Sequence, residues 1–179
     1  MRRMLSVAMV TAGLAVLLAV VAFGRSHEDA IQPPPLQLPP AADRTAAPSF
    51  AETTLTGSRV SLKAYRGKPL VINFFAAWCE PCREEAPAFV QLHRRFGDRI
   101  GLLSVAVHTD RRSSLDDFIQ THEMTWPVVW NRSGSLIGPY RIDGQPITYL
   151  IDGRGRVVFR ILGQTTEQRV GGVLDKLLA

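Results

Sequence analysis

The sequence predicts an α/β domain with a mixed central sheet flanked by helices, and three observations favour this class. Two apolar runs, Leu70–Phe75 and Ile100–Val107, have the composition of strands buried on both faces. Between them, residues 80–96 repeat apolar side chains at helical spacing. Two further apolar segments near the C-terminus flank the turn-forming stretch DGRGR. This order is typical of a sheet that is parallel in its first half and antiparallel at a terminal hairpin.

Shorter patterns predict the remaining elements. The additional strands are Val60–Leu62, Val128–Trp130 and the hairpin strands Ile147–Ile151 and Val157–Leu162. Pro87 predicts a kink in the helix over residues 80–96, because it leaves the carbonyl of Arg83 without a donor. A second helix is expected over Ser114–His122, with Ser114 as N-cap and Asp117 at the capping-box position. A last helix is predicted from near Thr165 to the C-terminus.

The first 24 residues predict a membrane anchor or a signal peptide. Arg2 and Arg3 precede an uncharged run, Met4–Gly24. About 20 apolar residues are enough for one helical crossing of a bilayer and exceed the apolar core of a typical signal peptide, which favours a retained anchor. The small residues in Ala22–Gly24 leave cleavage as the alternative. The arginines before the run favour a cytoplasmic N-terminus, with everything after residue 24 on the exported side.

Residues 25–47 are predicted to be a Pro-rich linker, since they contain five prolines and few large apolar side chains. The folded domain is therefore predicted over residues 48–179. The chain has a net charge of +5, but its basic residues are scattered and form no stripe with interleaved aromatics. A nucleic-acid partner is therefore not expected.

The only two cysteines of the chain, Cys79 and Cys82, follow the first buried strand. Cys79 is predicted at the start of the helix, where free N–H groups and the helix dipole stabilise a thiolate. Cys82 lies one turn along the same face and can attack a mixed disulfide formed by Cys79, which closes the intramolecular disulfide. Pro81 fits the first helical turn, where its missing N–H does no harm. The pattern predicts thiol-disulfide exchange without a cofactor.

A structural disulfide and a zinc site are the alternatives for this pair. A cross-link over so short a loop stabilises a fold little, because the effect grows with loop length. Zinc usually has four ligands, and the sequence has no second cysteine pair. We therefore expect redox chemistry and no metal site.

The stretches NFFAAWCEPCREEAP and PITYLIDGRGRVVFRILG resemble the thioredoxin superfamily, and within it the membrane-anchored TlpA/ResA-like thiol-disulfide oxidoreductases. The resemblance covers residues 48–179 and implies a thioredoxin-like fold. It implies that Pro146 is a cis-proline facing the cysteine pair, and that Gln145 offers backbone groups to an extended substrate strand.

The same resemblance implies roles for two further side chains. Glu85 matches a carboxylate near the active site, which would raise the thiol pKa values or accept the proton of Cys82. Trp78 matches an apolar lip around the site that contacts substrate.

The residues between the cysteines favour a reductant over an oxidant. Glu80 opposes a second negative charge on Cys79, so it raises the pKa of Cys79 and favours the disulfide. No histidine lies between the cysteines to pair with the thiolate. Glu80 and Pro81 are therefore candidates for tuning the redox potential.

The resemblance also implies partners and a location. The substrate is an oxidised exported protein, and substrates in the family include apocytochromes c, which links the family to cytochrome c biogenesis. The electron donor is a thiol reductase of the inner membrane, and the catalytic domain lies on the periplasmic side. Two alternatives stay open: an exported thiol oxidase or isomerase of the same fold, and a metal-binding carrier module. Carriers that resemble this fold use a CxxxC spacing, whereas this chain has CxxC.

Overall fold

The computed structural model describes residues 37–108 and 111–179. Its main feature is a five-stranded mixed sheet in the order β5-β4-β3-β6-β7, accompanied by a two-stranded antiparallel ribbon, β1-β2. The strands are β1 Ala51–Thr53, β2 Arg59–Ser61, β3 Leu70–Phe75, β4 Gly101–Ala106, β5 Val128–Trp130, β6 Ile147–Ile151 and β7 Val157–Leu162. β3, β4 and β5 are parallel, whereas β6 is antiparallel to both β3 and β7. The predicted α/β class and mixed sheet are confirmed.

In the described part of the chain, three α-helices accompany the sheet: α1 Glu80–Phe96, α2 Arg112–Thr121 and α3 Glu167–Leu178. Short 3₁₀ turns cover Ala41–Asp43, Leu62–Tyr65 and Gly97–Arg99. α1 has the predicted bounds, and Pro87 lies inside it. α3 begins with Thr166 as N-cap, whose hydroxyl accepts a hydrogen bond from the backbone N–H of Arg169 at 3.3 Å. Among these described helices, none combines the length and apolar character that crossing a membrane requires.

The predicted N-cap of α2 is wrong. The helix begins at Arg112, with Arg111 as N-cap and no capping side chain, so Ser114 lies inside the first turn. Asp117 consequently has no capping-box role. The guanidinium of Arg112 pairs with the Asp116 carboxylate at 2.8 Å, one turn along. This i,i+4 pair favours the earlier helical start over a cap at the serine.

The three helices pack on one face of the sheet. The strands β3, β4 and β5 follow each other in one direction, so the right-handed crossovers through α1 and α2 lie on the same side. Alternation along β3 points Val71, Asn73 and Phe75 toward this face and Ile72 and Phe74 toward the other. Val71 and Phe75 accordingly belong to a buried cluster with residues of α1, α2 and α3. The opposite face is covered by the β1-β2 ribbon and the segment 136–142.

The segment before β1 is attached at the turn between β6 and β7. The carbonyl of Thr45 accepts a hydrogen bond from the Val157 N–H at 2.8 Å, and the Ala47 N–H donates to Gly155 at 3.0 Å. Arg44 forms an ion pair of 3.2 Å with Asp152. Ordered contacts thus begin before residue 48. The predicted anchor and the first part of the predicted linker lie outside the described residues.

This attachment lies at the end of the sheet remote from the cysteines. Leu70 at the start of β3 is paired with Ile151, whereas Phe74 near its end is paired with Ile147. Cys79 follows the C-terminal end of β3, and the β6-β7 turn follows Ile151. The described chain therefore enters the domain at one end of the sheet and carries its cysteine pair at the other.

Candidate active site

Cys79 and Cys82 form a disulfide at the N-terminus of α1, with their Cα atoms 5.3 Å apart. Cys79 is the N-cap residue, and its Sγ accepts a hydrogen bond from the backbone N–H of Cys82 at 3.3 Å. The predicted position of Cys79 at the helix start is confirmed, and Pro81 lies in the first turn as expected. In the reduced protein the same N–H would stabilise a thiolate on Cys79.

The peptide bond between Gln145 and Pro146 is cis, as the family resemblance implies. β6 starts immediately after Pro146, and its pairing with β3 brings this segment beside the residues that follow β3. The carbonyl oxygen of Gln145 lies 3.8 Å from Cys79 Sγ. A chain segment 66 residues away in sequence therefore faces the sulfur of Cys79 with a backbone group.

Glu85 lies inside the domain, with 1% of its surface exposed. Its Oε1 accepts a hydrogen bond of 2.8 Å from the side-chain amide of Asn73, and its Oε2 accepts one of 3.1 Å from the backbone N–H of Thr165. Burial raises the pKa of Glu85 to about 7, although both hydrogen bonds act in the opposite direction. Because Glu85 follows Cys82 by three helical residues, the two side chains share a face of α1. Glu85 can therefore exchange a proton near neutral pH close to the pair.

Sequence reasoning missed Asn73 and Thr165, the two residues that hold Glu85. Asn73 lies in the middle of β3 and also contacts the hydroxyl of Thr148 on β6 at 3.4 Å. A single polar residue inside an otherwise apolar strand was the available signal for it. Thr165 offered no such signal, because its contact with Glu85 spans 80 positions. Its own buried hydroxyl has no hydrogen-bond partner among the described residues.

Trp78 is mostly exposed, with 60% of its surface accessible, although it stands directly before the buried Cys79. An exposed indole beside the reactive sulfur suits contact with another polypeptide. Glu80 is also exposed, and its carboxylate lies 3.6 Å from the guanidinium of Arg83. This pairing partly offsets the negative charge that the sequence places beside Cys79.

Within residues 37–108 and 111–179, no group of three or more His, Cys, Asp or Glu side chains could hold a metal ion. The ring of His93 packs against Trp126 at 5.6 Å, and that of His122 packs against Phe118 at 4.4 Å. The arrangement can perform dithiol-disulfide exchange with its own two sulfurs.

Known proteins match both the sequence and the fold. The AhpC/TSA family matches residues 44–160. The thiol-disulfide oxidoreductase ResA of Bacillus anthracis is 31% identical over 132 residues, which cover 73% of this chain and 76% of that protein. The crystal structure of a thiol:disulfide interchange protein of the thioredoxin family from Chlorobium tepidum TLS matches with a TM-score of 0.70 at 28% identity. This match covers 78% of this chain and 100% of that one.

A DsbF homologue from Corynebacterium diphtheriae matches with a TM-score of 0.71 over 79% of this chain and 92% of that one. At 24% identity this likeness supports the fold alone. The predicted thioredoxin-like fold is therefore confirmed, and the family match agrees with the cysteine pair at the start of α1. The chain belongs to the AhpC/TSA family of thioredoxin-like proteins and is a thiol-disulfide oxidoreductase.

Proposed function

We propose that the protein is a reductase that donates electrons to disulfides of exported proteins. The observation that carries the direction is the buried Glu85 on the same helical face as Cys82. When ionised, this carboxylate opposes a thiolate on either cysteine, which disfavours the reduced form and makes the dithiol a better electron donor. The exposed Glu80 also opposes a thiolate on Cys79 and therefore also disfavours the reduced form.

The reaction runs in two exchange steps. The Cys79 thiolate attacks one sulfur of the substrate disulfide, forming a mixed disulfide and releasing the first substrate thiol. Cys82 then loses its proton and attacks the Cys79 sulfur, which closes the Cys79–Cys82 disulfide and releases the second substrate thiol. Two electrons pass from the dithiol to the substrate disulfide, and the two protons of the dithiol end on the substrate thiols.

The other predicted site residues support these steps. Glu85 accepts the proton of Cys82 during the second step. The backbone of Gln145, held by the bond to Pro146, pairs with an extended segment of the substrate. Trp78 contacts the substrate with its exposed indole, while Glu80 and Pro81 tune the stability of the thiolate.

We also infer an exported, membrane-anchored setting. The uncharged run Met4–Gly24 supports an anchor in the inner membrane, with the domain on the periplasmic side where disulfides persist. The described chain enters the domain at the end of the sheet remote from Cys79, so the pair is not covered by that entry segment. A reductant in an oxidising compartment needs recharging, which requires a thiol reductase of the membrane as electron donor. Apocytochromes c are a substrate class that the TlpA/ResA-like resemblance supports.

An exported thiol oxidase is the second candidate, because two observations favour it. The hydrogen bond from the Cys82 N–H to Cys79 Sγ would stabilise a thiolate and hence the reduced form. The ion pair of Glu80 with Arg83 weakens the opposing charge.

The reduction potential of the Cys79–Cys82 pair decides between the two. We would equilibrate the full chain in mild detergent with dithiol buffers and quantify the free thiols. A value below about −250 mV is expected for a reductant, whereas a value near about −120 mV would establish an oxidant and overturn the proposed direction. In parallel, Cys82→Ser should trap a mixed disulfide with an oxidised protein through Cys79, and Cys79→Ser should trap none. Protease accessibility of the domain in intact spheroplasts tests the proposed location.

A further inference from the structure

A cleft of about 680 Å³ is lined in part by the residues that flank the cysteine pair in sequence. Its walls and floor include Trp78, Arg83, Arg111, Asp117, Phe118 and His122. One wall comes from the active-site segment itself, since Trp78 precedes Cys79 and Arg83 follows Cys82. The other wall is α2. A polypeptide whose cysteine is joined to Cys79 would therefore have this cleft next to its backbone.

The floor of the cleft is aromatic and held by packing. Phe118 is buried, and its ring lies 5.0 Å from that of Phe75 and 4.4 Å from that of His122. Such a floor suits the aliphatic part of a side chain that enters from above.

The rim of the cleft carries charge. The guanidinium of Arg83 is held in place, because its Nε donates to the carbonyl of Ala77 at 3.1 Å and its Nη1 lies 3.6 Å from Glu80. Arg111 is exposed and has no ion-pair partner among the described residues, and the same is true of Asp117.

The sign of the net charge around the rim follows from these groups. Burial, and then the charge of Arg83, lower the pKa of His122, which disfavours a positive charge on its ring. Two guanidinium groups then face one carboxylate. Since Arg83 shares its charge with Glu80, Arg111 is the cation with the most freedom to bind an incoming anion.

We propose that this cleft is a specificity subsite that binds an acidic side chain of the substrate polypeptide, close in sequence to the cysteine that Cys79 attacks. The apolar stem of a glutamate would lie over Phe118, and its carboxylate would meet Arg111 and Arg83. Asp117 would repel the same carboxylate and would favour a lysine. It would therefore weaken the preference of the cleft for an acidic side chain. The inference rests on the proposed exchange reaction for its biological meaning.

Three chromogenic peptides test the subsite with the reduced full chain. Each carries one cysteine as a mixed disulfide with thionitrobenzoate, and they differ only in having Glu, Gln or Lys two residues from that cysteine. Separate sets place the variable residue before and after the cysteine. Release of thionitrobenzoate gives the rate of exchange. We expect the Glu peptide of one set to react about threefold to tenfold faster than the Lys peptide. Added salt should reduce this ratio.

Variants of α2 assign the preference to the cleft. Arg111→Gln should lower the Glu-to-Lys ratio at least about twofold, and Asp117→Asn should raise it. Arg112→Gln is the matched control, because it removes the same charge from the neighbouring residue, whose guanidinium pairs with Asp116 outside the cleft. This control should leave the ratio unchanged. Equal rates of the Glu and Lys peptides with the wild-type protein in both sets would overturn the proposal, and so would an equal effect of Arg111→Gln and Arg112→Gln on the ratio.

A binding measurement separates failure of the subsite from failure of the proposed function. Peptides with serine in place of cysteine are titrated into the oxidised full chain, and the backbone amide signals of Phe118 and His122 are followed by NMR. Stronger binding of the Glu peptide than of the Lys peptide supports the subsite even if the exchange rates are low. No difference between the two peptides contradicts the subsite, while the reaction of the Gln peptide reports separately on the exchange activity.

Discussion

The side-chain amide of Asn73 donates a hydrogen bond of 2.8 Å to Glu85, and both residues are buried between β3 and α1. Together with the backbone N–H of Thr165, this contact fixes a carboxylate where a fully apolar interior would exclude it. The pKa of Glu85 nevertheless rises to about 7, because the cost of burying the charge exceeds the gain from both hydrogen bonds. A proton can therefore leave and return at this position near neutral pH.

Replacing Glu85 by Gln should slow the exchange reaction. Glutamine keeps the shape of the side chain but cannot accept the proton of Cys82, so we expect the rate of closure of the Cys79–Cys82 disulfide to fall about tenfold to hundredfold. The exchange rate of the wild-type protein should change its dependence on pH near pH 7. The rate of the variant should show no such change. Stopped-flow kinetics of the reduced protein with an oxidised peptide measure both effects.

Glu84→Gln is the control for this prediction, because Glu84 is the exposed neighbour of Glu85 on α1. It should alter neither the rate nor its dependence on pH. The same change in pH dependence near pH 7 in Glu85→Gln would assign the titration to another group and would remove the proton-acceptor role from Glu85.

The raised pKa of Glu85 also makes a prediction about stability. Its folded value of about 7 lies above the ordinary value of 4.5, so folding favours the protonated form. This contribution is fully present below pH 4.5 and is lost as the pH rises through 7. The wild-type protein should therefore lose stability relative to Glu85→Gln between pH 4 and pH 8, by on the order of 3 kcal/mol.

Urea unfolding of the two oxidised proteins at several pH values measures this difference. Oxidised protein is used throughout, so that the cysteines do not titrate. A constant difference in the free energy of unfolding from pH 4 to pH 8 would contradict the raised pKa.

The strand β3, the helix α1 and the cysteine position could be predicted because their signals are local. An apolar run specifies a buried strand, and the CxxC with Pro81 specifies a helix start. The cis bond before Pro146 was available only through family resemblance, since a proline at the start of a strand is compatible with either isomer.

Other features of the site depend on tertiary contacts that the sequence does not display. Thr165 reaches Glu85 because α3 packs beside α1 on the same face of the sheet. The start of α2 was misplaced because Ser114 is a good cap by itself, whereas the ion pair of Arg112 with Asp116 is compatible with an earlier start. The sequence also places Glu80 beside Cys79 without indicating that Arg83 partly neutralises it.

The exposed pair of Glu80 and Arg83 should tune the reduction potential in opposite directions. Glu80→Gln removes a charge that opposes the thiolate, so the potential should rise by at most about 20 mV, the equivalent of a surface ion pair. Arg83→Gln should lower it by a similar amount, and the double variant should return near the wild-type value. Equilibration with dithiol buffers measures all three. A fall in the potential of Glu80→Gln would refute the tuning role of this residue.

The ion pair that attaches the segment before β1 should contribute measurably to stability. The side chains of Arg44 and Asp152 are only 12% and 8% exposed, and their charged atoms lie 3.2 Å apart. Arg44→Ala leaves Asp152 with Arg156 and two backbone N–H donors, so we expect a loss of about 1–2 kcal/mol at pH 7. Arg94→Ala is the matched control, because Arg94 forms an ion pair with Glu123 in which the two side chains are 71% and 70% exposed. It should cost less than about 0.5 kcal/mol.

The dependence on pH separates the ion pair from simple loss of packing. Burial alone would raise the pKa of Asp152, but the backbone hydrogen bond from Arg156 and the contact with Arg44 outweigh it and hold the pKa below 3.8. The stabilisation is therefore present above the ordinary pKa and is lost as the pH falls through the lowered value. Urea unfolding of wild type and Arg44→Ala should give free energies that differ at pH 7 and converge below pH 3.8. A difference that stays constant down to about pH 2 would show that Arg44 acts through its packing and its bonds to the Pro39 carbonyl, and not through the charge of Asp152.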